Sequence, residues 1–200
     1  MAIKVANNQS LTAITALPAA VSGGAMTLLE TQTASSSGTI SFTSNIDSTY
    51  KEYIFKFYDV HPSENATWLS FQVDTGTNTS YNISCVSTWF TAYHNEGDSH
   101  NALSYNTSYD QVGTGFQYVT DRTGTDNDQS VVGTLHLYEP SSSTFVKHFM
   151  AETMCYEQSD YAAHVLNAGY FNTTTALTRV QFKMNSGDID AGTIKMYGVS

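Results

Sequence analysis

The chain is poor in charge. Only 13% of its 200 residues are Asp, Glu, Lys or Arg, about half the share of an average soluble domain. Its polar surface must therefore come from Ser, Thr, Asn, Gln and Tyr, as in β-rich outer-surface and adhesive proteins. Basic residues are the scarcest. The eight of them, Lys4, Lys51, Lys56, Arg122, Lys147, Arg179, Lys183 and Lys195, are scattered singly in a chain of net charge −10. Neutralising phosphates takes clustered cations, so nucleic-acid binding is excluded as an expectation. An anionic membrane surface is disfavoured for the same reason. Cysteine is nearly absent. Cys85 and Cys155 are too few and too far apart for a disulfide-stapled scaffold. Each has apolar or aromatic neighbours and reads as a buried free thiol, with a single bridge between them left open. Three Pro and 13 Gly exclude a collagen-like or disordered composition. No apolar run is long enough for a membrane helix, because residues 5–29 are broken by Asn7, Asn8, Gln9, Ser10 and Gly23-Gly24.

What the chain does have is aromatic and β-branched sequence with a period of two. Thirteen Tyr and ten Phe suit a pleated, half-buried surface. Val180, Phe182 and Met184 alternate with Gln181 and Lys183, and Ile194 and Met196 alternate with Lys195 and Tyr197, so two strands close the chain. Further strands are expected over Met26–Thr33, Thr39–Thr43, Tyr50–Val60, Trp68–Asp74, Ile83–Tyr93, Phe116–Thr120, Val131–Tyr138 and Phe145–Tyr156. Tyr161–Phe171 reads as a strand or a short helix. The polar stretch from His94 to Gly115 reads as a long functional loop or a weakly signalled hairpin. The expectation is an all-β protein, an antiparallel β-sandwich with a jelly roll as its topology. A single domain over 26–200 follows an extended N-terminal arm over 1–25, in which Pro18 and Gly23-Gly24 exclude a regular helix. Ile14, Leu17 and Val21 are the candidate anchor residues of that arm, because an unanchored arm would expose them.

Catalytic chemistry has little to stand on. The chain contains no Gly-x-Ser-x-Gly, His-Glu-x-x-His, Gly-x-x-x-x-Gly-Lys or Cys-x-x-Cys. No catalytic residue and no cofactor is expected. The six histidines show no ligand spacing, and His136 with His148 is the one pairing that neighbouring strands could bring together. Ca2+ is the one plausible ion. Asp126-Asn-Asp128 and Asp188-Ile-Asp190 each place oxygen donors two residues apart in a loop, but neither continues into a calcium-binding hand. Carbohydrate recognition is the better chemical expectation. Trp89, Tyr93, His94, Tyr105 and Tyr109 lie in or beside the polar stretch, among Asn95, Asn101 and Asn106. Rings take the CH faces of sugars, and amides take the hydroxyls. Trp89 serves equally as core, and the tyrosines equally as packing between subunits.

Several stretches carry a resemblance. They are Asn8-Gln-Ser-Leu-Thr-Ala-Ile-Thr-Ala-Leu-Pro, Met26-Thr-Leu-Leu-Glu-Thr-Gln-Thr-Ala-Ser-Ser-Ser, Phe42-Thr-Ser-Asn-Ile-Asp-Ser-Thr-Tyr-Lys-Glu-Tyr-Ile-Phe and the ending Gly192-Thr-Ile-Lys-Met-Tyr-Gly-Val. Together they resemble small virion structural proteins of tailed marine bacteriophages, tail-fibre-like or on the capsid exterior. The resemblance covers both ends of the chain and fades between Tyr93 and Ser130. It implies a β-fold, a virion location, other virion proteins of tail or capsid as partners, and a non-enzymatic role. A homotrimer is expected. Within that setting a tail-fibre or adhesin-like role with host-surface glycan recognition is the first reading. A capsid decoration protein held on the head lattice by its N-terminal arm is the second. A secreted carbohydrate-binding module is a further alternative.

Overall fold

The computed structural model describes residues 25–77 and 79–199. The expected anchor residues Ile14, Leu17 and Val21 lie outside the described residues. Thirteen strands and no helix are found among those described. In chain order they are β1 (Met26–Thr33), β2 (Ile40–Phe42), β3 (Glu52–Pro62), β4 (Leu69–Asp74), β5 (Cys85–Asn95), β6 (Asn101–Tyr105), β7 (Val112–Gly113), β8 (Gln117–Tyr118), β9 (Val131–Tyr138), β10 (Lys147–Glu157), β11 (Tyr161–Phe171), β12 (Arg179–Met184) and β13 (Ile189–Val199).

They form two antiparallel sheets. The larger has nine strands in the order β1-β13-β3-β9-β10-β11-β5-β6, with β7 paired to β5. The smaller has the order β2-β12-β4-β8. This is the expected β-sandwich. A jelly roll has about eight strands shared between two sheets. Here the split is nine and four, and the sandwich is the level at which the expectation holds.

The two closing strands serve different sheets. β12 sits between β2 and β4 in the small sheet, while β13 sits between β1 and β3 in the large one. A terminal strand paired on both sides is held firmly, as a chain end must be if it is to stay ordered.

The core is mainly phenylalanine. Phe42, Phe71 and Phe182 of the small sheet point at Phe55, Phe57, Phe149 and Phe171 of the large one, and all seven are essentially inaccessible to solvent. Phe71 meets Phe149 edge-on at 5.0 Å and Phe171 at 5.6 Å, and Phe55 meets Phe182 at 5.4 Å. Each buried ring contributes about 2–3 kcal/mol of transfer free energy. The edge-to-face geometry adds to that.

Tyr161–Phe171 is a strand, not a helix. Its alternation is real, with Ala163, Val165 and Asn167 inward, and it pairs along its whole length with β10 and β5. The polar stretch after Tyr93 resolves into a hairpin. β5 turns at Asn95, whose side-chain oxygen accepts the Ser99 and His100 amides at 3.0 and 2.9 Å, and returns as β6. The two cysteines cannot be bridged. β11 separates their strands, and along it Cys85 lies opposite Phe171 while Cys155 lies opposite Ala163, eight residues away. Both are free and buried.

Candidate functional site: a polar cleft under the overhanging sheet

A nine-stranded sheet cannot be covered by a four-stranded one. Beyond β8 the inner face of β10, β11, β5 and β6 extends past the small sheet, and two loops cover it instead. The loop after β6 is fastened by Asn106 N donating to Trp89 O at 3.1 Å and Ser87 N donating to Gln111 O at 3.0 Å. The loop after β8 is fastened by Thr123, which bridges to Thr67 and Glu157, and by Gln158 N donating to Arg122 O at 3.1 Å. Between the loops and the sheet lies a cleft of about 320 Å3. Its sheet side carries Thr91, Tyr93, Ser104, Tyr161 and Ala163, and its loop side Asn106, Tyr109, Asp121 and Arg122.

Strand register explains the sheet side. Tyr93 lies opposite Ala163 on β11 and Ala102 on β6, and Tyr161 lies opposite Asn95. Inward positions of three strands thus meet on one floor. The Tyr93 and Tyr161 rings stand edge to face at 5.5 Å. Trp89, further along the same face of β5, is fully buried and meets Tyr109 edge-on at 4.8 Å.

Glu157 is the most perturbed acid of the cleft. It is almost inaccessible, and burial raises its pKa above the ordinary carboxylate value. One oxygen lies 3.1 Å from Arg122 Nη2 and the other accepts the Ser159 amide at 2.7 Å. The first contact is an ion pair without hydrogen-bond geometry, so the side chain holds the wall by charge at one oxygen and by a hydrogen bond at the other. Burial, then the charge of Asp121, raises the phenol pKa of Tyr109. Thr91 Oγ1 and Trp89 Nε1 are buried without a hydrogen-bond partner among the described residues.

The five aromatic candidates divide. Tyr93 and Tyr109 line the cleft and Trp89 supports it. His94 and Tyr105 fall at outward positions on the opposite face of the same sheet. His94 Nε2 lies 3.0 Å from Asp98 Oδ1, and the Tyr105 ring meets Phe90 at 4.9 Å. The loop acids are brought closer than sequence implied, since Asp128 and Asp190 border one shallow depression with Asp59. Among the described residues no group of three or more His, Cys, Asp or Glu side chains is arranged to hold a metal. His136 and His148 share a face without meeting as a pair. His136 Nδ1 is 2.5 Å from Glu52, and His148 packs at 6.3 Å from Tyr170.

Asp121, Arg122, Glu157 and Tyr161 were not among the sequence candidates. The signal for them is the strand register, which places β10 and β11 beside β5. Chemically the cleft offers tyrosine rings, a carboxamide, hydroxyls, the Asp121 carboxylate, one oxygen of which accepts the Arg122 amide at 2.8 Å, and a guanidinium, the mixture that a polyhydroxylated ligand satisfies. No protein-family model matches the chain, and no curated protein matches it.

Proposed function

We propose that the protein is a non-enzymatic recognition protein of the exterior of a bacteriophage particle, tail-fibre-like in role, and that it binds host-surface glycans in the cleft under the overhanging sheet. The cleft carries this reading. Tyr93, Tyr109 and Tyr161 supply ring surface, and Asn106, Asp121 and Arg122 supply hydrogen bonds. Few precisely placed polar groups in a preformed hollow is the usual design of a small-ligand site. Tyr93 and Tyr161 sit on strands, which hold them more rigidly than loops would. The resemblance of both chain ends to virion structural proteins supports the setting, with other virion proteins as partners. The net charge of −10 favours a neutral or amino-bearing glycan over a polyanionic one.

Binding of oligosaccharides from host-surface polysaccharide, followed by calorimetry, tests the site. Tyr93→Ala and Asn106→Ala should each weaken binding by tenfold or more while the β-sheet circular dichroism is kept. Unaltered affinity in both variants removes the cleft from the reading. Antibody labelling of intact particles, seen on tail or head, tests the setting separately.

A further inference from the structure

The large sheet has its apolar side facing outward as well as inward. At outward positions on the five adjoining strands β9, β10, β11, β5 and β6 stand Val132, Met150, Met154, Leu166, Phe90 and Leu103, all exposed, with Leu103 reaching 77%. The small sheet shows the opposite. Its outward Ser70 and Gln72 are polar yet fully buried, because Gln72 Nε2 donates to Ile83 O and Gly115 O of covering loops. The polar outer face is thus covered along β4, while the apolar outer face is bare among the described residues. Monomeric proteins seldom expose a contiguous apolar patch beyond a few hundred Å2.

We propose that this face is the contact surface for a second copy of the same chain, packed sheet on sheet about a two-fold axis. Three observations single out that occupant. The first is area. Five strands about 4.8 Å apart, three of eleven residues and two shorter at about 3.3 Å each, present roughly 730 Å2, close to the about 800 Å2 that a standard interface takes from each partner. The second is charge. The chain holds 18 acids, but among the outward positions of these five strands the one carboxylate is Glu152, and His164 Nε2 lies 2.9 Å from it. Further carboxylates stand around its rim, Glu52 on His136, Asp98 on His94, Glu96 and Asp160 on Tyr156 and Asp110 on Tyr105, so a strongly acidic protein meets its own copy best over the centre, where Glu152 is the one acid. The third is composition. Phe, Tyr and Met at the centre with few charged groups is the pattern of an interface core. The centre is also concave, a depression of about 360 Å3 bordered by Phe90, Tyr138, Met150 and Leu166 together with His136 and Glu152, able to take side chains of the facing copy.

A homotrimer would need two different patches on each copy, whereas a single continuous face fits the self-complementary two-fold contact. The polar cleft opens on the other side of the same strands. Two copies joined back to back would therefore hold their clefts apart and free, and paired weak sites gain avidity. The interface stands whether or not the cleft binds a glycan.

Sedimentation velocity and light scattering of the full chain over a concentration series test it. The expected mass is twice 21.9 kDa. The double variant Met150→Lys/Leu166→Lys should halve that mass while keeping circular dichroism and melting unchanged, since both side chains are already in solvent in one copy. Leu166→Cys should form a cross-linked dimer under mild oxidation, both native thiols being buried. A monomer at hundreds of micromolar, a trimeric mass, or a dimer indifferent to the double lysine variant each overturns the proposal.

Discussion

The Trp89 indole meets the Tyr109 ring edge-on with centroids 4.8 Å apart, and Tyr109 also contacts Trp68 and Tyr118 at 5.6 and 5.9 Å. One loop tyrosine therefore ties the cleft wall to both tryptophans of the chain. Aromatic pairs of this kind contribute about 0.5–1.5 kcal/mol each beyond area burial. Tyr109→Ala should lower unfolding stability by about 2 kcal/mol on that basis. It should also shift tryptophan emission to the red as water reaches both indoles. Tyr109→Phe keeps the rings and should change neither. Urea titration followed by fluorescence reads both quantities, and equal behaviour of the two variants would contradict the tie.

The strands were legible where one face is buried. Met26–Thr33, Val131–Tyr138 and Tyr161–Phe171 begin and end where alternation places them, although the last also admitted a helix. What the sequence conceals is weakly amphipathic. β6 is a five-residue edge strand with no fully buried residue, so its pattern carries no hydrophobic signal. The cleft was half legible. Tyr93 and Tyr109 stood out as ring donors, but Glu157 and Tyr161 join them only through the pairing of β10 and β11 with β5, and nothing local encodes that register. His94 shows the converse. It neighbours Tyr93 in sequence and faces the other way, because adjacent strand residues occupy opposite faces.

Burial pushes the thiols of Cys85 and Cys155 up to about 12 from an ordinary 9.0. Their folded values exceed the unfolded ones, so the stability from burying two neutral thiols is fully present below pH 9 and is lost as pH rises toward 12. Melting temperature should fall through that window. Cys85→Ala/Cys155→Ala should be less stable at neutral pH, by about 1 kcal/mol or more per site for the lost packing, yet decline less steeply in alkali. Native protein should not react with a thiol reagent, while denatured protein should show two thiols without prior reduction. A bridge recovered from denatured protein would contradict the register.

Gly192 sits where β13 slips in register against β3. Its φ is +110°, and a Cβ there would fall 2.6 Å from Asp59 O and from Val60 Cα. Asp59 itself has φ +48°. The two residues form one irregularity that turns the strand pair, and Gly192 O accepts the Ala34 amide at 2.9 Å. Gly192→Ala should lower stability by about 1–3 kcal/mol through backbone strain alone, with the close approach adding to it. Gly38→Ala is the matched control, since its Cβ would meet only Asp188 Oδ1 at 3.5 Å. Thermal melts in which the two variants matched would remove the role assigned to Gly192.

Lys147 is fully buried, and its ammonium donates to the carbonyl oxygens of Ser142, Phe145 and Thr173 at 2.5, 2.9 and 3.4 Å. No carboxylate ion-pairs with it among the described residues. The side chain closes the loop before β10 by filling three carbonyls at once. Two effects compete on its removal. Desolvation of the charge is relieved, but three carbonyls lose a donor, and each orphaned buried group costs about 1–3 kcal/mol. The second effect is the larger, so Lys147→Met should be less stable by about 2 kcal/mol. The pH dependence follows from the same site. Burial lowers the folded pKa below 10.5, so between that lowered value and 10.5 the unfolded chain binds more protons than the native one, and stability from this residue rises with pH. The difference between wild type and Lys147→Met should accordingly widen as pH approaches 10.5, because the neutral amine keeps two N–H donors, enough for the closer Ser142 and Phe145 carbonyls, while the burial penalty fades. Chemical denaturation of both proteins across the alkaline range measures it. A constant gap, or a variant more stable than wild type, would show that the lysine is tolerated in its pocket rather than required by the loop.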